Sequence, residues 1–350
     1  MKKLVVLAAS ILLCTLAQAQ GGSDSGTSAG ITIIPRVDIN PKLYDGYGNE
    51  NEVTLGNSSF YTLFEGNISE NLSFSVCNHW LSDSPKYLYQ NTWRSDDVNW
   101  CDWAYLEYSL GNFLITAGKQ VMTIGGFEFE EYDFDVHPDM MTGLWNNFQC
   151  YQWGGKFGWM NDSESTGIFL QATSSPYGEK PFDAMAYSLQ YQGNYGPFSM
   201  LYSTNLIEDW EGEYQWMVSL GNQLELDDWT LQLDITNKVG DPFFVLNDGI
   251  TSFSTVKYNP SDKWEFVGRL GYERYNPLDY TSLSFIQLQN FPVTNSWTIG
   301  AAAHWFPLRD SQDLRIHAAV AGNTRNFGNT RLNLLSLTVG AIYYLRLPRN

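Results

Sequence analysis

Six carboxylates gather in one stretch of this chain: Glu128, Glu130, Glu131, Asp133, Asp135 and Asp139, all between residues 122 and 146. Around a narrow aqueous passage such a group repels anions and draws cations. In a solvated external loop the same residues would only add charge, or hold a divalent cation with no transport role. Basic residues stand apart from them, at Arg36, Lys119, Lys156, Lys257, Arg269 and Arg315. If these line a wall opposite the acidic stretch, they set up a transverse field that orients dipolar solutes. Local pairing, for example Arg269 with Glu273, would cancel part of that field.

Other chemistry finds little support in the residues. The four histidines are His79, His137, His304 and His317. None stands two residues from a serine on one strand face, as a nucleophile and its base would need. Their spacing does not suggest zinc, and no glycine-rich phosphate loop runs into Lys-Ser/Thr. The reading is therefore no enzyme, no cofactor and no metal. His79 and His317 read as inward polar residues, and His304 as an ordinary strand residue.

The elements that must position these groups begin after an export signal. Lys2 and Lys3 precede an apolar run, Leu4 to Leu16, and Ala17-Gln18-Ala19 offers small residues for cleavage before Gln20. A lipoprotein anchor at Cys14 is disfavoured by the bulky Leu13 before it. Residues 1–19 are thus a signal peptide, and 20–30, rich in Gly and Ser, a flexible leader. Losing Lys2 and Lys3 takes the formal charge from −18 to −20. So acidic a chain repels phosphate, which argues against nucleic acid as a partner. Charged residues are 17%, below the ~25% of ordinary soluble domains. The 13 Trp and 21 Tyr suit a protein that meets a membrane–water boundary. No later segment approaches the ~20 apolar residues of a membrane helix, so a membrane form must be a closed barrel.

From Ile31 the pattern alternates with period 2. Leu72, Phe74, Val76 and Trp80 interleave with Ser73, Ser75, Cys77 and His79, and Leu314, Ile316, Ala318 and Val320 with Arg315 and His317. The pattern predicts strands near 31–40, 58–68, 72–82, 102–109, 113–121, 147–160, 166–174, 184–192, 197–205, 213–225, 229–238, 251–258, 263–275, 296–306, 314–322 and 332–347. Every second connection is a short polar turn, such as Ser69-Glu70-Asn71 or Asp227-Asp228. The others are long: 41–57, 83–101, 122–146, 175–183, 206–212, 239–250, 276–295 and 323–331. Short turns at one end and long loops at the other are the layout of outer-membrane barrels. The expected fold is all-β, a transmembrane antiparallel up-and-down β-barrel over 31–350 with about 16 strands (14 to 18). Charges on the polar parity fit a wet lumen better than a dry sandwich core. Trp80, Trp153, Trp159, Trp229, Trp264, Trp297 and Trp305 near strand ends read as interfacial girdles, with sugar stacking the rival reading. Cys77, Cys101 and Cys150 are an odd number; a Cys77–Cys101 bridge and isolated thiols both stay open.

One hairpin carries a family resemblance. Trp103-Ala104-Tyr105-Leu106-Glu107-Tyr108, a turn, then Phe113-Leu114-Ile115-Thr116-Ala117-Gly118-Lys119-Gln120 is similar to a strand pair of the phosphate-selective porin O and P family and related Gram-negative porins. There a Gly-Lys/Arg-Gln ending leads into a loop with Phe-Gly or Gly-Gly; here Ile124-Gly125-Gly126-Phe127 follows. The motif covers about 20 residues, the general organisation nearly the whole chain. The resemblance implies a channel for small solutes without establishing phosphate selectivity. It also implies that the third external loop, 122–146, folds into the lumen. Family barrels usually end in an aromatic residue read by the assembly machinery, whereas this chain continues past Tyr343-Tyr344 to Asn350.

The expectation is a porin in the outer membrane of a Gram-negative bacterium, passing small hydrophilic solutes or ions by diffusion. Its partners would be outer-membrane lipid, the barrel-assembly machinery, the solutes themselves and a homotrimer mate. From another class stands a plugged structural or adhesive barrel that binds through external loops. Tyr87, Tyr89, Trp93, Tyr280 and Phe285 keep that reading open, and the permeating solute is not legible.

Overall fold

A computed structural model describes residues 28–46, 50–82, 101–178, 180–208, 212–239, 249–275, 295–327 and 330–347. The expected signal peptide and the aromatic residues of 83–100 and 276–294 lie outside these. The described chain is a closed antiparallel barrel of 16 long strands. They are β1 (Ser28–Gly46), β3 (Ser59–Ser69), β4 (Leu72–Ser82), β5 (Cys101–Leu110), β6 (Phe113–Val121), β7 (Tyr151–Met160), β8 (Thr166–Ser174) and β9 (Met185–Tyr195). Then follow β10 (Phe198–Glu208), β11 (Tyr214–Leu226), β12 (Trp229–Val239), β13 (Gly249–Ser261), β14 (Trp264–Tyr275), β15 (Asn295–Trp305), β16 (Leu314–Phe327) and β17 (Thr330–Tyr343). Two three-residue strands, β2 (Glu52–Thr54) and β18 (Leu345–Leu347), extend the pairing along β1.

Closure is made by β1, which pairs with β3 on one side and β17 on the other. No edge is left to seek partners, and every strand's backbone is paired in its neighbour's ladder, as a lipid environment requires. Neighbours in the chain are neighbours in the sheet, and at one end tight turns such as Asp227-Asp228 leave no room for a crossover. Asp227 takes a φ of 45° there, a conformation that Asp tolerates better than most residues.

Alternation sets the two faces. On β8, Ile168 and Leu170 point outward while Phe169, Gln171 and Thr173 point inward. Outward aromatic residues collect at the short-turn end, where Trp229 stacks on Tyr258 at 4.3 Å and Trp264 on Trp305 at 6.2 Å. At the other end Tyr272 lies 4.6 Å from Trp297. Placed at both ends of β12–β15, these rings stand where interfacial girdles would.

All sixteen expected strands are present, and several are longer than expected. β1 begins at Ser28, inside the expected leader: Ser28, Ala29 and Gly30 pair with Asn67, Gly66 and Glu65. β1, β10 and β16 also run on to Gly46, Glu208 and Phe327. Cys77, Cys101 and Cys150 are buried and no disulfide joins them, so the Cys77–Cys101 bridge is not formed.

Candidate functional site

The segment between β6 and β7 is attached to the inner wall along its length. Met122 N–H to the Cys150 carbonyl, 2.7 Å, closes its base. Thr123 donates to Gln171 Oε1 on β8 at 2.7 Å from both its N–H and its hydroxyl. Gly125 N–H donates to Ser203 Oγ and Gly126 N–H to the Leu201 carbonyl, both on β10. Glu128 N–H reaches Asp234 on β12 at 2.8 Å. Glu131 forms ion pairs with Lys257 on β13, at 2.9 Å, and with Arg269 on β14. Arg315 on β16 donates to the Asp135 carbonyl at 2.8 Å. Arg36 on β1 donates to the Phe134 and Val136 carbonyls at 2.9 and 2.7 Å. Asn323 on β16 and Lys42 on β1 hold Asp139.

Local sequence explains how a segment without strand alternation makes these contacts. Glycines at 125 and 126 let the backbone press against β10 and β11. Short turns at Phe127–Glu130 and Pro138–Met140 and a five-residue helix, Gly143–Asn147, follow. Thr142 caps that helix by accepting from Trp145 N–H at 3.1 Å. Its apolar side chains turn to the wall. Phe129, Phe134, Met141, Leu144, Trp145 and Phe148 join Ile34, Tyr61, Trp103, Tyr151, Met217 and Phe253 in one buried cluster inside the barrel. The carboxylates alone drew attention in the sequence. The apolar half was visible there as a run that fits neither strand period, and it supplies most of the packing.

The six acidic residues do not act as one group. Glu128 is buried, with both carboxylate oxygens on Thr142, at 2.8 Å to its N–H and 3.0 Å to its hydroxyl. Burial pushes its carboxyl up to about 8, against those two hydrogen bonds. Burial would also raise Glu131, but the Arg269 and Lys257 charges outweigh it and bring that carboxyl down to about 2. Asp135 is engaged by Arg315 and Tyr344, and Asp139 by Lys42 and Asn40. Asp133 is half-buried, whereas Glu130 is exposed to the lumen, as is Tyr132 beside it.

The basic residues divide too. Arg36, Lys156, Lys257, Arg269 and Arg315 have inward parity, but Lys119 does not. It shares the face of Phe113 and Ile115, pairs with outward Trp153, and donates to the Cys101 carbonyl at 2.5 Å. It is expected on the polar, inward face with the other basic residues; the one-residue parity of the strand puts it outside. Arg36 forms a buried ion pair with Asp38 at 2.9 Å. In place of the alternative Arg269–Glu273 pairing, Arg269 engages Glu131 and Met141, while Glu273 takes the Gly143 and Leu144 N–H groups.

Among the described residues, cavities flank the segment on two sides. One, of about 310 Å³, lies toward β7–β10 and is lined by Lys156, Phe169, Gln190 and Gln192. The other, of about 340 Å³, lies toward β13–β16 and is lined by Lys257, Glu265, Arg269 and Arg315. Glu130, Glu131 and Tyr132 border both.

No family model matches the chain, and no curated protein matches its sequence. Solved structures do. The outer membrane channel DcaP of Acinetobacter baumannii is similar with a TM-score of 0.61 at 12% identity, covering 92% of this chain and 99% of that one. The anion-selective porin from Comamonas acidovorans gives 0.58 at 9% identity, covering 91% and 100%. A mutant of the Rh. blastica porin gives 0.54 at 10% identity, covering 90% and 100%. At such identities the likeness is one of fold: this chain has a porin-like β-barrel fold.

Proposed function

We propose that the protein is an outer-membrane channel through which small hydrophilic solutes or ions diffuse, with the segment between β6 and β7 narrowing the lumen. The observation that carries this reading is the border shared by the two cavities: Glu130, Glu131 and Tyr132 touch both. A solute crossing the barrel would pass these side chains. With Glu131 neutralised by Lys257 and Arg269, the unpaired charge on that border is Glu130, facing Lys156 across the first cavity. Charges at the narrowest point dominate selectivity, since water elsewhere screens within ~8–10 Å. The reading favours weak cation preference. Reversal potentials of reconstituted protein in a salt gradient test it; strong anion preference would contradict it.

The phosphate-selective porin O and P family rests on one hairpin, and phosphate selectivity is not part of this proposal. Export by a signal peptide, insertion by the barrel-assembly machinery and a homotrimer complete the reading. A trimer form of one similar barrel, OmpT of Vibrio cholerae, supports the last point. One observation favours the plugged, partner-binding alternative. The buried apolar cluster draws residues from β1, β3, β5, β7, β11 and β13 onto the internal segment, which is a drier interior than a wide pore needs.

A further inference from the structure

Three of the chain's four histidines meet inside the barrel, though they lie far apart in sequence. His137 comes from the internal segment, His304 from β15 and His317 from β16. His137 Nε2 and His304 Nε2 face each other at 3.1 Å. The His137 and His317 rings are 4.9 Å apart, and the His304 and His317 rings 6.3 Å. All three residues are buried.

We propose that His137 and His304, with His317 beside them, form a binding site for a late first-row divalent cation such as Zn²⁺. Two imidazole nitrogens holding a tetrahedral ion at ~2.0–2.1 Å stand about 3.3 Å apart, close to the separation seen. The far sides of the rings are arranged as metal-bound histidines usually are. His304 Nδ1 bonds Glu265 at 2.7 Å, which fixes the tautomer that leaves Nε2 as a lone pair. His317 Nε2 bonds Asp38 at 2.9 Å. Its Nδ1 is buried with no hydrogen-bond partner, and a bare nitrogen in such a place is costly unless something is bound.

Among the described residues no three ligating side chains already surround one point. The pair therefore supplies two ligands, and a turn of the His317 ring or water supplies the rest. Around the rings Asp38, Asp135 and Glu265 offset Arg36, Arg315 and Arg269, so no net positive charge opposes a cation. Access is from the 340 Å³ cavity, whose lining includes His137 and His304. An ion here would tie the internal segment to the barrel wall.

Calorimetric titration of tag-free, detergent-folded protein with ZnCl₂ tests this, with Mg²⁺ and Ca²⁺ as controls. The expected result is one Zn²⁺ per chain and no heat from the controls. Glu265→Gln should weaken binding about 10- to 100-fold, His137→Ala with His304→Ala should abolish it, and His79→Ala should leave it unchanged. No Zn²⁺ uptake by folded wild type, or uptake that survives the double substitution, would overturn the site. Should the double variant not fold, Co²⁺ in the wild type decides: intense visible bands of tetrahedral coordination support the site, and the pale octahedral spectrum of hydrated Co²⁺ overturns it.

Discussion

Glu273 on β14 accepts the backbone N–H groups of both Gly143 and Leu144, at 2.6 and 2.9 Å, and so joins the barrel wall to the first turn of the internal helix. A hydrogen bond to an ionised carboxylate contributes about 1.5–3 kcal/mol. Glu273→Ala should therefore loosen the second half of the segment while leaving the barrel closed. Limited proteolysis should cut between residues 138 and 147 at least about tenfold faster, since ~1.4 kcal/mol already gives that factor when cleavage follows local opening. An unchanged cleavage rate would show that the apolar cluster alone holds the segment.

The acidic residues should separate by effect. Glu130→Gln should shift the reversal potential toward anions by removing the exposed charge. Glu131→Gln should shift it further, because Lys257 and Arg269 lose their shared partner. Asp133→Asn should do least. Equal shifts from all three would mean that the border of the two cavities is not the narrow point.

The docking of the segment should depend on pH in two opposite ways. Glu128 has an ordinary value of 4.5 and a docked value of about 8. The docked form thus keeps a proton that the free form has lost, and docking weakens as pH rises from about 4.5 to about 8. Glu131 has a docked value of about 2. Its contribution is full above about 4.5 and is lost as pH falls toward 2. Conductance fluctuations should be least near pH 5 and grow toward pH 8. Glu128→Gln, which resembles the protonated form, should flatten the rise; fluctuations that still grow would place their source elsewhere.

Gly340 makes room for the Asp38–His317 bond. A Cβ there would stand 2.2 Å from Asp38 Oδ1 and 2.8 Å from His317 Nε2. Gly340→Val should lower the temperature at which the folded gel band is lost, by the ~1–3 kcal/mol typical of overpacking. Gly268→Ala, where nothing lies within 4 Å of the added carbon, should not. Equal stability of the two variants would contradict the crowding seen at Gly340.

The strands were legible because lipid on one side and water on the other impose period 2 on every strand. Their outer ends were not, since the apolar signal fades where a strand leaves the lipid, as in β1 beyond Asn40 and β16 beyond Gly322. Parity placed Arg36, Lys156, Lys257, Arg269 and Arg315 on the inward face. It failed for Lys119, expected inward for its charge although it shares the face of Phe113 and Ile115. The His137–His304–His317 cluster could not be read, because a loop residue and two strands meet there only through folding. The same holds for Glu273, whose partners come from the segment and not from its own strand.

Single-channel recording in planar bilayers tests the central claim most directly, comparing wild type with Glu273→Ala, each shown folded by its heat-modifiable gel mobility. A channel narrowed by the internal segment predicts discrete wild-type steps that grow with salt, and larger steps in the variant. Silent membranes with both folded proteins would contradict it and leave the plugged barrel.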